Sequence, residues 1–336
     1  MPAVFNGHSL LFIALCLLWF AASSMTGVSS KAVLTAMPAP VSLTIAQFAS
    51  AALCAFAFAF APLSQSLLHS KPHSAAVILR AAAPLSVFQV AGHVFGSLAT
   101  AKLSVSTVQT VKALSPLFTV AADRFLFCAN YSSLTYLSLF PLTAGVVAAC
   151  SQDLSAHPLG LVCALLSALV FVAQNLLGKK VLSPDSPAKI DHLSLIFYSS
   201  AIAFCITLPV WLYCDVLPFL LRVSPVSIAV SPLYLGAAFF FNGLCHFAQN
   251  VLAFALLSIT SPVSYSIASL IKRIFIIVFS ILWFRQPTRP VQALGILSTF
   301  FGLYLYDRAK LVSKSRDALL PVSEKSQPHP SRSSDN

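Results

Sequence analysis

Residues 262–284, PVSYSIASLIKRIFIIVFSILWF, form a predominantly apolar run with a lysine and an arginine side by side at its middle. A helix that crosses a bilayer needs about 20 mostly apolar residues, and this stretch meets that length. Lys272 and Arg273 then have about ten residues to either side, or roughly 15 Å of helix at 1.5 Å per residue. Long basic side chains near helix ends can reach back to the interface, but from mid-span that escape is closed. Each buried cation costs about 2.5–3.5 kcal/mol on insertion scales. The segment reads as a membrane helix that carries its charge for a reason.

A second stretch repeats the pattern 160 residues earlier. SVSTVQTVKALSP (104–116) aligns with SYSIASLIKRIFI (264–276), so that Ser104 meets Ser264, Ser106 meets Ser266 and Lys112 meets Lys272. The matched lysine is the residue type least expected in a membrane interior. Walking outward gives ten candidate spans: 10–29, 41–62, 79–99, 104–125, 133–150, 158–177, 194–214, 232–256, 262–284 and 290–307. Two halves of five helices each would enter the membrane in opposite senses. Inverted repeats of this kind are a transporter architecture, with the binding site near the midplane between the halves. The expected organisation is a short cytosolic N-terminus (1–9), a first five-helix repeat (10–150), a second (151–310) and a disordered cytosolic tail (311–336). The fold class is all-α.

Composition agrees. Of 336 residues 58% are apolar and 9% charged, against about 45–50% and 25% in ordinary globular domains. That excludes a water-soluble enzyme. The net charge of +11 is spread through loops and the tail, which argues against nucleic acid as a partner. The eight cysteines are scattered through apolar runs without a CxxC or Cys/His cluster, so no disulfide framework, metal site or cofactor is expected. The spans hold no HExxH, paired carboxylate or nucleophile beside a base, so the chain is not read as an enzyme.

Of the 17 basic residues outside the spans or at their very ends, 12 fall on the side of both termini. Only Lys31, Lys102, Arg222, Arg285 and Arg289 fall opposite. The positive-inside rule then places both termini in the cytosol, where the Asn130-Tyr131-Ser132 sequon would stay unglycosylated. No Arg-rich, Ser-rich leader precedes the first span, which points to the endomembrane system or the plasma membrane.

Three cations, Lys112, Lys272 and Arg273, are therefore buried, while all nine acids lie in loops, at span ends or in the tail. Without a carboxylate partner the cations should face a water-filled cavity and receive an anion. Arg offers a planar fork that matches two phosphate oxygens and Lys a mobile point charge. A doubly charged phosphate group fits this set better than a monocarboxylate. The absence of membrane acids also speaks against proton coupling, although His93 and His246 remain as relays. Pro116 cannot donate to the carbonyl of Lys112, so the fourth span should bend there and leave that carbonyl free. Ser261-Pro262 reads as a cap and first residue of the ninth span. Gly92 and Gly96 form a GxxxG for close packing of the third.

These residues resemble the triose-phosphate and phosphate translocators, with their nucleotide-sugar relatives in the drug/metabolite transporter superfamily. The likeness runs along most of residues 10–310. It is most specific in GHVFGSLATAKLSVSTVQTVKALSPLF, LGKKVL and NVLAFALLSITSPVSYSIASLIKRIFIIVFS. The Lys-Arg pair looks like the mark of the phosphate-translocator branch. The resemblance implies ten helices, cytosolic termini and counter-exchange of inorganic phosphate against a phosphorylated metabolite of the triose-phosphate, 3-phosphoglycerate or phosphoenolpyruvate class. By position it makes Lys112, Lys272 and Arg273 the phosphate ligands and His93 a substrate contact. Gln249 stands where plastid members have a substrate-contacting tyrosine, and Gly96 where they have a threonine. The look is closer to fungal-type endomembrane members, in the endoplasmic reticulum or Golgi. Two alternatives stay open: a nucleotide-sugar transporter of the same fold, and a non-transporting membrane factor in vesicle traffic. A homodimer is also left open.

Overall fold

The computed structural model describes residues 7–59, 75–128, 130–181, 192–221, 230–260 and 262–319, and among them every regular element is a helix. In chain order these are α1 (Gly7–Ala36), α2 (Pro40–Ala59), α3 (Ala75–Lys102), α4 (Val105–Lys112), α5 (Ser115–Phe127), α6 (Ser133–Ala156) and α7 (Pro158–Val181). Next comes α8 (His192–Trp211), which runs through a π-turn at Leu212–Val216 into the short α9 (Leu217–Leu220). The chain continues with α10 (Pro232–Ile259), α11 (Pro262–Trp283) and α12 (Pro290–Leu319). Five helices open on proline, a residue whose fixed φ suits the first turn and whose missing N–H has no partner to lose there. Serines cap three helices, one of them the proline-led α10: Ser104, Ser132 and Ser231 accept from Thr107, Thr135 and Tyr234 N–H. The expected cap Ser261 lies outside the described residues.

Eight of the helices are long and apolar enough to cross a membrane. Leucine and phenylalanine side chains such as Leu233, Phe140 and Leu294 stand exposed on the outer faces, an arrangement stable in lipid and not in water. The fourth expected span is broken in two, as Pro116 requires. Ala113 N–H turns back to Gln109 and Thr110 carbonyls, Leu114 N–H to Val111, and α5 starts afresh. The last helix does not stop near 307 but continues to Leu319, so the first part of the expected tail is helical. Residues 320–336 lie outside the description.

Small residues set the close crossings. A Cβ on Gly145 would sit 2.4 Å from Thr299 N, one on Gly295 2.4 Å from Ala149 N, and one on Gly302 2.3 Å from Leu142 N. Thus α6 and α12 touch backbone to backbone. The GxxxG of α3 meets α7, with Gly92 against Phe171 and Gly96 against Ser167. Elsewhere α1 lies along α10 and against α11, α7 lies against α4, α2 along α8, and α4 against α11.

Lys31 departs from expectation. It lies not at a helix end but well inside α1, which runs two turns past the predicted end of the span. Its ammonium donates to the carbonyls of Thr100 (2.9 Å), Ala101 (3.3 Å) and Leu103 (2.8 Å), the unpaired acceptors at the end of α3. Lys31→Met should lower thermal stability in detergent by about 1.5–3 kcal/mol, the usual worth of hydrogen bonds from a charged donor. An unchanged melting curve would mean that water serves those carbonyls equally well.

Candidate functional site

Between α1, α2, α3, α4, α7, α10 and α11 lies a cavity of about 370 Å³. Gly27 lets α1 pass close between the two cation-bearing helices, its α-carbon facing Val105 of α4 and Ile276 of α11. All five residues singled out from the sequence, Lys112, Lys272, Arg273, His93 and Gln249, line this one space. Residues up to 180 positions apart in the chain are thereby brought to a single centre.

The three cations are held differently. Lys112 Nζ stands over the face of Phe171, 5.1 Å from the ring centroid. Lys272 Nζ stands over Trp19 at 4.1 Å. Among the described residues neither ammonium has a carboxylate partner, and each lies in the repulsive field of Arg273. Arg273 is partly committed. Its Nη1 donates to the carbonyl of Lys112 at 2.7 Å, the acceptor that Pro116 leaves free, which Ser115 Oγ also meets at 2.5 Å. Asp307, in the second half of α12, attracts Arg273 while accepting from the Ser266 hydroxyl. The expectation that no acid acts on the three cations is therefore corrected for the arginine. A span-end carboxylate comes within electrostatic reach because α12 packs beside α11.

Around the cations is a polar layer. His93 meets Phe48, Phe171 and His246 edge-on, at 5.2, 5.2 and 5.1 Å between ring centroids. His246 is 4% exposed, with Gln249 Nε2 3.3 Å from its Nδ1 and Asn250 Nδ2 3.4 Å from its Nε2. Gln47 of α2, another lining residue, donates to Asn242 at 2.9 Å. Asn242 in turn holds Ser29 and Ser30 of α1 at 2.8 and 2.9 Å. The hydroxyl of Ser23 also faces the cavity and has no hydrogen-bond partner among the described residues. Trp19, Ser23 and Phe171 were not singled out from the sequence. In an apolar run an aromatic or small polar residue looks like ordinary helix packing. Only the spacing of Trp19 and Ser23, one helical turn apart, hints at a shared face.

The site is thus a buried cationic cavity with donors on all sides, suited to an oxyanion. Residues 10–307 match the sequence profile of the Triose-phosphate Transporter family. The chain belongs to that family. A Schizosaccharomyces pombe protein named only as a transporter is 48% identical over 309 residues, covering 89% of this chain and 66% of that one. The chain therefore spans just under two thirds of that relative's length. Phosphoenolpyruvate/phosphate translocator 3 of Oryza sativa subsp. japonica, a chloroplastic protein, is 31% identical over 88% of this chain and 74% of its own. An uncharacterized transporter of Saccharomyces cerevisiae, SLY41, is 30% identical over 89% and 80%. A solved crystal structure superposes with a TM-score of 0.52 at 14% identity, across 92% of this chain and 98% of that one, which is a likeness of fold alone. As a Triose-phosphate Transporter family member the chain is a multi-pass membrane transporter.

Proposed function

We propose that this protein is an antiporter that exchanges inorganic phosphate for a phosphorylated small metabolite by alternating access, within ten helices arranged as two inverted repeats. The observation that carries the reading is the convergence on one cavity of an arginine and two lysines that have no carboxylate partner among the described residues. Helix packing supports the repeats. Under the 160-residue relation α1 against α10 corresponds to α7 against α3, and α1 against α11 corresponds to α7 against α4. The broken pair α4–α5 then counts as the fourth crossing and α12 as the tenth. The names of the plant relatives support phosphate as one partner. The cavity, at about 370 Å³, lies at the small end of the ~300–1,000 Å³ typical of ligand pockets. That favours a three-carbon phosphate over a nucleotide sugar.

Charge provides the mechanism. The empty site holds three cations, and a phosphate dianion lowers this to a net +1. Closing the site around the loaded form therefore costs less than closing it empty, so occupancy gates the movement of the halves. The excess of basic residues beside the termini supports cytosolic ends. The likeness to fungal-type members favours an endoplasmic reticulum or Golgi membrane.

Reconstituted protein should show rapid phosphate/phosphate exchange and little uptake into vesicles that contain no phosphate. Triose phosphate, 3-phosphoglycerate or phosphoenolpyruvate should compete, and UDP- or GDP-sugars should not. Stronger competition by a nucleotide sugar would move the assignment to that branch. Fast uptake without internal phosphate would remove exchange as the mode.

A further inference from the structure

Both lysines of the cavity rest on aromatic faces, and the two contacts are arranged alike. Lys272, on α11, stands over Trp19 of α1 at 4.1 Å, and Lys112, on α4, stands over Phe171 of α7 at 5.1 Å. In the two-repeat arrangement each ring comes from the first helix of one half and each lysine from the fourth helix of the other. The rings are fixed by their own packing. Trp19 is 2% exposed, lies among Cys16, Phe20, Leu256 and Ala268, and stacks on Tyr265 at 5.4 Å and 27°. Phe171 is pinned against Gly92, where a Cβ would come within 2.9 Å, and meets His93 edge-on. The lysine side chains are the movable partners.

We propose that Trp19 and Phe171 are positioning residues for Lys272 and Lys112: each ring face holds one ammonium in the ligand-free carrier and yields it to an arriving phosphate group. This rests on the phosphate reading above. A ring face attracts a cation through its quadrupole without bringing net charge. A carboxylate in the same place would form an ion pair and occupy the lysine permanently, and nothing at all would leave like charges to push the side chains apart. The ring contact shifts an equilibrium by about 2- to 30-fold, depending on desolvation, strong enough to orient and weak enough to release. It opposes binding, so weakening it should tighten phosphate binding rather than loosen it. An ordinary packing residue would have the opposite sign.

The chain has three tryptophans, and Trp211→Phe with Trp283→Phe leaves Trp19 alone. In that background, tryptophan is replaced by analogues carrying one, two and three fluorines, which drain the ring face while nearly keeping its shape. Melting temperature of the ligand-free protein should fall stepwise when Lys272 is present and stay flat in a Lys272→Met version. Calorimetry with inorganic phosphate should show affinity rising about 2- to 30-fold across the series. A second arm keeps all tryptophans: Phe171→Leu should tighten phosphate binding about threefold, and Phe171→Tyr should restore the wild-type value. A melting trend indifferent to Lys272 overturns the proposal, and so does affinity that weakens as fluorine is added. A protein that binds no phosphate overturns the phosphate reading instead, while the melting series still decides whether ring and ammonium interact.

Discussion

Lys272→Met should give a protein that folds at least as well as the wild type and exchanges no phosphate. The expectation follows from what surrounds the ammonium. Removing one member of a buried ion pair usually destabilises by about 3–5 kcal/mol, because the other charge is left alone in a poor dielectric. Here no carboxylate is left behind. Among the described residues Lys272 faces a ring and two other cations, Arg273 and Lys112. Methionine fills similar space, keeps contact with Trp19 and relieves the repulsion, so thermal unfolding should shift upward or stay. Transport should respond the other way. Truncating a hydrogen-bonded charge at a buried recognition site costs about 2–5 kcal/mol, which is roughly 30-fold or more in affinity, and the loaded cavity also loses the charge balance that permits closure. Melting curves and phosphate/phosphate exchange on the same preparation check both halves. A large drop in stability with exchange retained would turn Lys272 into a structural residue and remove the basis for an anion site.

How much of this could be read from the chain depends on whether the deciding interaction is local. Helix starts were legible because proline and serine act within one turn, as at Pro158, Pro290, Ser104 and Ser132. The break in the fourth span was legible for the same reason: Pro116 removes one donor from one carbonyl four residues back. Lys112 and Lys272 stood out because a charge inside an apolar run needs an explanation wherever its helix ends up. What decides partners was not legible. Arg273 was counted as a third free ligand, yet one of its N–H groups is used on a carbonyl 161 residues away. Asp307 looked out of reach at a span end but feels Arg273 across the α11–α12 contact. Lys31 reads as a charge at the outer end of the first span, and nothing near it in sequence points to the carbonyls at the end of α3 that it meets. Trp19 and Phe171 do not fall at equivalent positions under the 160-residue shift, so even the internal repeat does not point to them. Aromatic residues in membrane helices are too common to mark a site, and only the ammonium above the ring distinguishes these two.

The link between Arg273 and Pro116 makes the sharpest separation of structure from transport. Arg273→Leu should both stop exchange and destabilise the protein, by about 1.5–3 kcal/mol for a lost hydrogen bond from a charged donor. The loss arises because the Lys112 carbonyl is then met by Ser115 Oγ alone. Pro116→Ala supplies a backbone N–H at the position from which an α-helix would satisfy that same carbonyl. In the double variant the new N–H should recover most of the lost stability, while exchange stays absent because the guanidinium is still missing. Pro116→Ala alone should be stable yet slow, since a continuous helix removes the acceptor that holds Arg273 toward α4. The cycle of four proteins, measured by thermal unfolding and by exchange in vesicles, gives a coupling energy in stability with no matching coupling in transport. Additive stability effects would show that Arg273 does not serve the broken helix. The 2.7 Å contact would then be incidental, and the arginine would be free to act on the anion as an undivided fork.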